Sequence, residues 1–406
     1  MNGTASTAGR IACFLLAALL AAPALAGERP APLDREKLWQ ATLAKPSLAV
    51  SATFDENGRL WLVRIDGRHL YVSHSSDLGA TLSTPVKVNA EPEAILADGE
   101  NRPKLIVRRG IVYVSYTQGL AKPMTGDIRF SRSLDGGRSF SAPLTVNDNR
   151  EVISHRFEAM GVNGKGQVFL AWLDKRDLYA AQREGKPYRG GATYYAVSDD
   201  GGASFRPNLK AADHSCECCR VAMAVDNDGT PVILWRQIFG KNTRDHALVR
   251  LDGKSAPLRA SEDGWEVDAC PHHGPALAVG TDGTYHQTWF TNAPQRKGLF
   301  YARSLDGGKT FSAALPFGDN DAQAGHADVL SQGKQVFVAW KEFDGENGIV
   351  RLMTSPDSGA SWSAPQTVAA TAEHSDHPFL IGDGRRAYLS WNSVREGYRL
   401  IEVTPK

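Results

Sequence analysis

One eight-residue phrase recurs along this chain and limits what it can fold into. Ser304-Leu305-Asp306-Gly307-Gly308-Lys309-Thr310-Phe311 has near copies in Ser133-Leu134-Asp135-Gly136-Gly137-Arg138-Ser139-Phe140 and Ser198-Asp199-Asp200-Gly201-Gly202-Ala203-Ser204-Phe205. Looser copies centre on Asp357 and Asp77, and an eroded one runs Arg250-Leu251-Asp252-Gly253-Lys254-Ser255. The phrase makes sense as a hairpin turn. The Asp carboxylate accepts turn N–H groups, Gly supplies a positive φ, and the closing aromatic anchors the returning strand. With Asp252 counted, successive Asp positions lie 51 to 65 residues apart.

A second landmark precedes each turn, an alternating apolar run that usually ends in Trp: Trp172, Trp235, Trp289, Trp340 and Trp391, with variants at 111–116 and 60–64. A period of this length that carries strands is the signature of a β-propeller, in which each repeat is one four-stranded blade. The expected fold is all-β, a single propeller of seven blades, or six if one unit is not a true blade. Residues 37–43 supply the missing outer strand of the last blade, so that N- and C-terminal strands close the ring and leave no free edge.

The phrase resembles the Asp-box (BNR repeat) of sialidases and related Asp-box propeller proteins, and five readable copies carry the likeness over nearly the whole mature chain. In that family the box is a structural turn on the rim away from the active site, a role the resemblance assigns to Asp77, Asp135, Asp200, Asp306 and Asp357.

The N-terminus reads as a secretory signal over residues 1–26: Arg10, an apolar run over 11–22, and Ala24-Leu25-Ala26 as the cleavage site. Residues 27–406 then form the propeller domain of an exported protein, periplasmic or extracellular. No later run approaches spanning length. A formal net charge of +1 without a basic or acidic block argues against nucleic acid and anionic membranes as partners. Of five cysteines, Cys13 falls in the apolar run, leaving Cys216, Cys218, Cys219 and Cys270 in an oxidising compartment.

Strand parity places the boxes on one face and the loops entering each inner strand on the other, together with long loops at 117–127, 174–191, 210–219, 236–246 and 261–273. Counting back from each apolar run, six inner strands open with Arg102, Arg156, Arg220, His273, His326 and His377. Such residues either solvate a wet channel mouth or form a site with an anion-seeking and a proton- or metal-handling side. His214, Cys216, Cys218, Cys219, Cys270, His272 and His273 converge on the same face. They fit copper or zinc as soft ligands, or else disulfides stapling neighbouring blades, with a bridge from the cluster to Cys270 favoured. Asp174-Lys175-Arg176-Asp177 reads as a clamp on a loop turn in preference to a catalytic carboxylate pair.

The resemblance also implies an activity, hydrolysis of terminal sialic acids with three arginines on the substrate carboxylate, a Tyr nucleophile assisted by Glu, and an Asp acid/base. Arg102-Pro103 is similar to the family's Arg-Ile-Pro signature without the Ile. Arg156 and Arg220 complete a triad on consecutive blades instead of dispersed ones, and Tyr398 is the nearest nucleophile. These departures favour a propeller that binds a metal ion or small anionic ligand over a true sialidase. A glycoside hydrolase with an arginine clamp and a protein-interaction module stapled by disulfides stay as alternatives.

Overall fold

Short apolar runs separated by Gly-bearing turns favour antiparallel meanders. The computed structural model of the protein, which describes residues 36, 37, 40, 41 and 47–404, strings seven of them in succession, the third and fourth joined into one eight-stranded sheet where Ser215 pairs with Gln237. The first holds β1 (Ser51–Phe54), β2 (Leu60–Asp66), β3 (His69–Ser75) and β4 (Val86–Lys87). The second holds β6 (Lys104–Arg108), β7 (Ile111–Gly119), β8 (Gly126–Ser133) and β9 (Leu144–Thr145), with β5 (Ile95–Leu96) beside the end of β7. The third comprises β10 (His155–Val162), β11 (Val168–Asp174), β12 (Gly191–Ser198) and β13 (Leu209–Ser215), with helix α1 (Arg176–Arg183) between β11 and β12. The fourth comprises β14 (Ala222–Val225), β15 (Pro231–Phe239), β16 (Thr243–Arg250) and β17 (Leu258–Arg259). The fifth runs β18 (Ala276–Val279), β19 (Tyr285–Ala293), β20 (Arg296–Ser304), β21 (Leu315–Phe317), and the sixth β22 (Gly325–Gln332), β23 (Gln335–Phe343), β24 (Gly348–Ser355), β25 (Gln366–Thr371). The last has three strands, β26 (Phe379–Gly382), β27 (Ala387–Ser393) and β28 (Gly397–Val403).

The first strands of the meanders pack in cyclic order, β1 on β6, then β10, β14, β18, β22 and β26, which returns to β1. All seven line one cavity of about 260 Å³. The apolar core follows the same order, as a cluster between each meander and the next. Trp61 and Val114 share the first, Phe130 and Trp172 the second, Phe157 and Trp235 the third. Val50, Leu62, Ile381 and Tyr388 form the cluster that joins the seventh meander to the first. Each sheet is therefore covered on both faces, which is why β11 is buried at every position and its sequence reads as an unbroken apolar run.

Closure differs from the sequence expectation. Lys37, Gln40 and Ala41 are helical, and Gln40 Nε2 donates to Glu36 Oε1 at 2.9 Å, the i,i+4 contact of a helix. The stretch is rich in good helix formers, and this local preference outweighs the vacancy for an outer strand. Polar contacts between the termini of the ring do the joining instead. Val50 N donates to Asp376 Oδ2 at 3.2 Å, and Asn392 Nδ2 donates to the Leu48 carbonyl at 2.9 Å. The signal-peptide reading of residues 1–26 lies outside the described residues. Among the described residues no helix is long and apolar enough to cross a membrane.

The box turns form as their residues dictate. Ser304 Oγ donates to Asp306 Oδ1 at 2.7 Å, Thr310 N to the same oxygen at 2.9 Å, and Thr310 Oγ1 to Oδ2 at 2.7 Å. Asp77, Asp135, Asp200 and Asp357 repeat the pattern, and Ser255 closes a shorter version on Asp252. The second glycine does more than turn the chain. Gly202 has φ +86°, and a Cβ there would sit 2.5 Å from the Phe130 ring of the preceding meander. Strain at positive φ and overpacking together put Gly202→Ala at a loss of about 2–4 kcal/mol, readable in chemical denaturation as a lower midpoint with an unchanged slope.

Hydrogen bonds from Ser75 and then Thr81 bring Asp77 down to about 2, and those from Ser361 do the same for Asp357. Carboxyls depressed in the folded state stabilise it above the unfolded value near 4, and that contribution is lost as pH falls through the folded one. The melting temperature should therefore fall between about pH 4 and pH 2, with a shallower acid limb in Asp306→Asn.

Of the loops expected to be long, 236–246 is mostly strand, since β15 and β16 run on into a tight hairpin, while β7 and β8 take up only the ends of 117–127; β13 takes up much of 210–219. Asp174 is wholly buried and accepts Trp172 Nε1 at 2.9 Å and Arg176 Nη2 at 2.8 Å, so it is a clamp. Trp235 with Gln237, and Trp340 with Glu342, repeat that i,i+2 contact.

Candidate functional site

The segments that enter the inner strands all lie at the end of the ring opposite the boxes, and their side chains meet there. Arg102, Arg156, Arg220, His273, His326 and His377 all belong to these segments, and Glu100, which strand counting does not reveal, ties its own strand to four others. Its Oε1 lies 2.8 Å from Arg220 Nη1, 3.3 Å from His326 Nδ1 and 3.8 Å from His377 Nδ1, while its Oε2 accepts the Gly274 amide at 2.8 Å. Burial opposes its charge, but Arg220 and then His326 outweigh that and hold the carboxyl well below its usual range.

The three imidazoles stack. Ring centroids are 4.4 Å apart for His273 and His326 and 3.5 Å for His326 and His377, and Phe290 continues the stack on His273 at 4.2 Å. Burial, reinforced by His326, lowers His273 to about 3 and lowers His377 strongly, so both rings are neutral. His326 holds φ +55° at a register shift in β22, and Phe157 holds φ +62° at the equivalent shift in β10. Bulges at strand entries re-aim side chains in this way.

The arginines do not form a clamp with three free ends. Arg102 Nη1 pairs with Asp376 Oδ2 at 3.0 Å and donates to the Val50 carbonyl at 2.6 Å. Arg220 is spent on Glu100 and on the carbonyls of Pro275 and Ala327. Arg156 alone keeps its guanidinium off a carboxylate, with its Nη1 3.9 Å from Met124 Sδ. Tyr398, the one nucleophile the resemblance offered, packs into the cluster between the seventh and first meanders with its hydroxyl on Ser390.

Beside this mouth the thiols converge. Cys216, Cys218 and Cys219 follow β13, are 1 %, 4 % and 1 % exposed, and their Sγ atoms stand 3.7 Å (216–218) and 4.0 Å (218–219) apart. Cys270 and His272, from the loop before β18, reach Cys218, the three ligand atoms lying within 4.8 Å of one another. All four cysteines are free thiols, so the expected disulfide to Cys270 is not formed. A tetrahedral centre with metal–sulfur bonds of about 2.3 Å has sulfurs about 3.8 Å apart, the spacing seen here. His214 stays outside, tilted against Tyr188 with ring centroids 4.6 Å apart, and His273 belongs to the imidazole stack.

The charge around the thiols points the same way. Arg244 Nη1 donates to Cys216 Sγ at 3.2 Å, and Arg236, 1 % exposed, ends on the carbonyls of Arg244, His273 and Phe290. Among the described residues neither these two nor Arg156 has a carboxylate partner. Buried guanidinium groups need an anion nearby, and thiolates supply it. Hydrogen bonds from Cys218 and Cys219, with help from Arg236 and Arg244, hold Cys216 well below the usual thiol range. Cys218 and Cys219 move up in exchange, because each keeps its proton to donate to Cys216.

No protein-family model and no curated protein matches the sequence. Among solved structures, an ulvan lyase of polysaccharide lyase family PL25, bound to -[GlcA(1-4)Rha3S]-, is 9% identical. The match covers 88% of this chain and 94% of that one with a TM-score of 0.55. A Hadza microbial sialidase is 14% identical over 83% of this chain and 73% of its own, with a TM-score of 0.50. The polysaccharide lyase Uly1 is 10% identical over 89% of both chains, with a TM-score of 0.53. The shared fold is the β-propeller. At these identities the likeness is one of fold alone, and the propeller's ring explains why the strand entries gather their polar side chains at one end.

Proposed function

We propose that the mature protein, residues 27–406, is an exported propeller of seven blades that binds a soft metal ion, copper(I) or zinc, at its channel mouth. Cys216, Cys218, Cys219 and Cys270 are the thiolate ligands, with His272 in reach. The observation that carries the reading is the spacing of the three buried sulfurs, which matches the edge of a thiolate tetrahedron. The unpaired arginines around them support it, because they stabilise the anionic centre that metal-bound thiolates make.

Oxygen-free purification, followed by elemental analysis and thiol counting, tests the proposal. About one copper or zinc per chain is expected, and iodoacetamide should label the three buried thiols only after a chelator removes the metal. A metal-free protein that takes up neither ion would end the reading.

Glycoside hydrolysis rests on the fold likeness and on Arg102, Arg156 and Arg220. The engagement of Arg102 by Asp376 and of Arg220 by Glu100 argues against a substrate clamp. A fluorogenic sialoside assay should accordingly show no turnover above that of an Arg156→Ala variant. Turnover that Arg156→Ala abolishes would restore the hydrolase, and would leave a glycan as the ligand of the cavity.

A further inference from the structure

We infer that Glu100, His326 and His377 form a second cation site, separate from the thiols, for a divalent ion of borderline hardness such as Zn²⁺ or Co²⁺. One ligand atom from each of the three lies within 4.8 Å of the others, and Nδ1 of His326 and of His377 stand 3.3 and 3.8 Å from Glu100 Oε1. Bonds of about 2.0–2.1 Å to such atoms put neighbouring ligands about 3.4 Å apart in a tetrahedral shell. Two imidazoles and one carboxylate suit this class of metal better than magnesium or calcium.

Three further features distinguish the cluster from an ordinary polar rim. His377 Nδ1 is buried and has no hydrogen-bond partner, an unsatisfied lone pair that burial would otherwise penalise. Glu100 Oε2 is fixed by the amides of Arg220 and Gly274, the kind of outer-shell support that orients a metal-binding carboxylate, while the Arg220 guanidinium shares Oε1 with the histidines. Gly99 makes room for the ring, since a Cβ there would lie 2.2 Å from His377 Nδ1. His377 and Gly99 also line the central cavity, which places the cluster at its wall. Arg220 and Arg102 repel a cation, and each is held against a carboxylate, Arg220 on Glu100 and Arg102 on Asp376.

Reduced native protein titrated with Co²⁺ tests the inference. Thiolate-bound cobalt gives an intense near-ultraviolet sulfur-to-metal band, whereas a nitrogen and oxygen site gives only weak visible bands. One further equivalent of the weak type is expected, and it should protect His326 and His377 from carbethoxylation in peptide maps of the native protein. His326→Asn and His377→Gln should weaken that equivalent more than about a hundredfold and leave the charge-transfer band unchanged. Native protein with no such equivalent, or with one that leaves both histidines reactive, overturns the inference even if the variants fail to fold. A weak-band equivalent without the charge-transfer band would remove the thiol centre and leave this site standing.

Discussion

Cys218→Ser in the mature protein is expected to lower affinity for copper(I) or zinc more than about a hundredfold, and to leave the far-ultraviolet spectrum unchanged. Cys218 is the shared member of both thiol groups, with Cys216 and Cys219 on one side and Cys270 and His272 on the other. Its loss therefore breaks either grouping, whereas Cys270→Ser leaves three buried sulfurs in place and should cost less. The hydroxyl that replaces the thiol does not ionise near neutral pH and is a harder, weaker ligand for these metals. The effect on stability should appear mainly in the loaded protein, because a ligand that binds only the folded state raises its melting temperature by mass action. A chelator should thus lower the melting temperature of the native protein and have little effect on Cys218→Ser. Equal metal affinity in the two proteins would rule the cluster out.

Asp376→Ala is expected to cost about 3–5 kcal/mol, because it strands the buried Arg102 guanidinium without its partner. The same carboxylate accepts the amides of Val50 and His377, so it joins the segment before β1 to the segment before β26. These are the two ends of the ring. For a chain of this length the loss corresponds to a fall of about 4–7 °C in melting temperature. Arg102→Ala combined with Asp376→Ala should cost less than the sum of the single changes, since the double variant buries no unpaired charge. Additive losses would mean that the pair does not couple the ends, and that closure rests on the apolar cluster of Val50, Leu62, Ile381 and Tyr388 alone.

Much of the fold was legible because two local signals repeat. Ser-x-Asp-x-Gly fixes a turn by hydrogen bonds within eight residues, and strands covered on both faces leave apolar runs such as 168–172. Counting along those runs also located Arg102, Arg156, Arg220, His273, His326 and His377, since a strand entry is a matter of register. What escaped was set by contacts across the ring. Glu100 and Asp376 lie two residues before Arg102 and one before His377, outside the strand frame, and nothing local marks them as partners of distant arginines. Residues 37–43 were assigned to a strand by the need to close the ring, against a composition that favours helix. His214 looked like a ligand from its neighbours in sequence, yet at φ +58° its ring turns to Tyr188, away from the sulfurs. The cysteines were located to one face, but whether they would bond to each other or share an ion depends on separations no spacing rule contains.

The buried sulfurs at the channel mouth are expected to hold an ion. X-ray absorption at the metal edge of native protein purified without oxygen tests it most directly. Three or four sulfur neighbours at about 2.3 Å are the predicted result. A first shell of oxygen and nitrogen alone, or no bound metal in protein whose four thiols are intact, would contradict it.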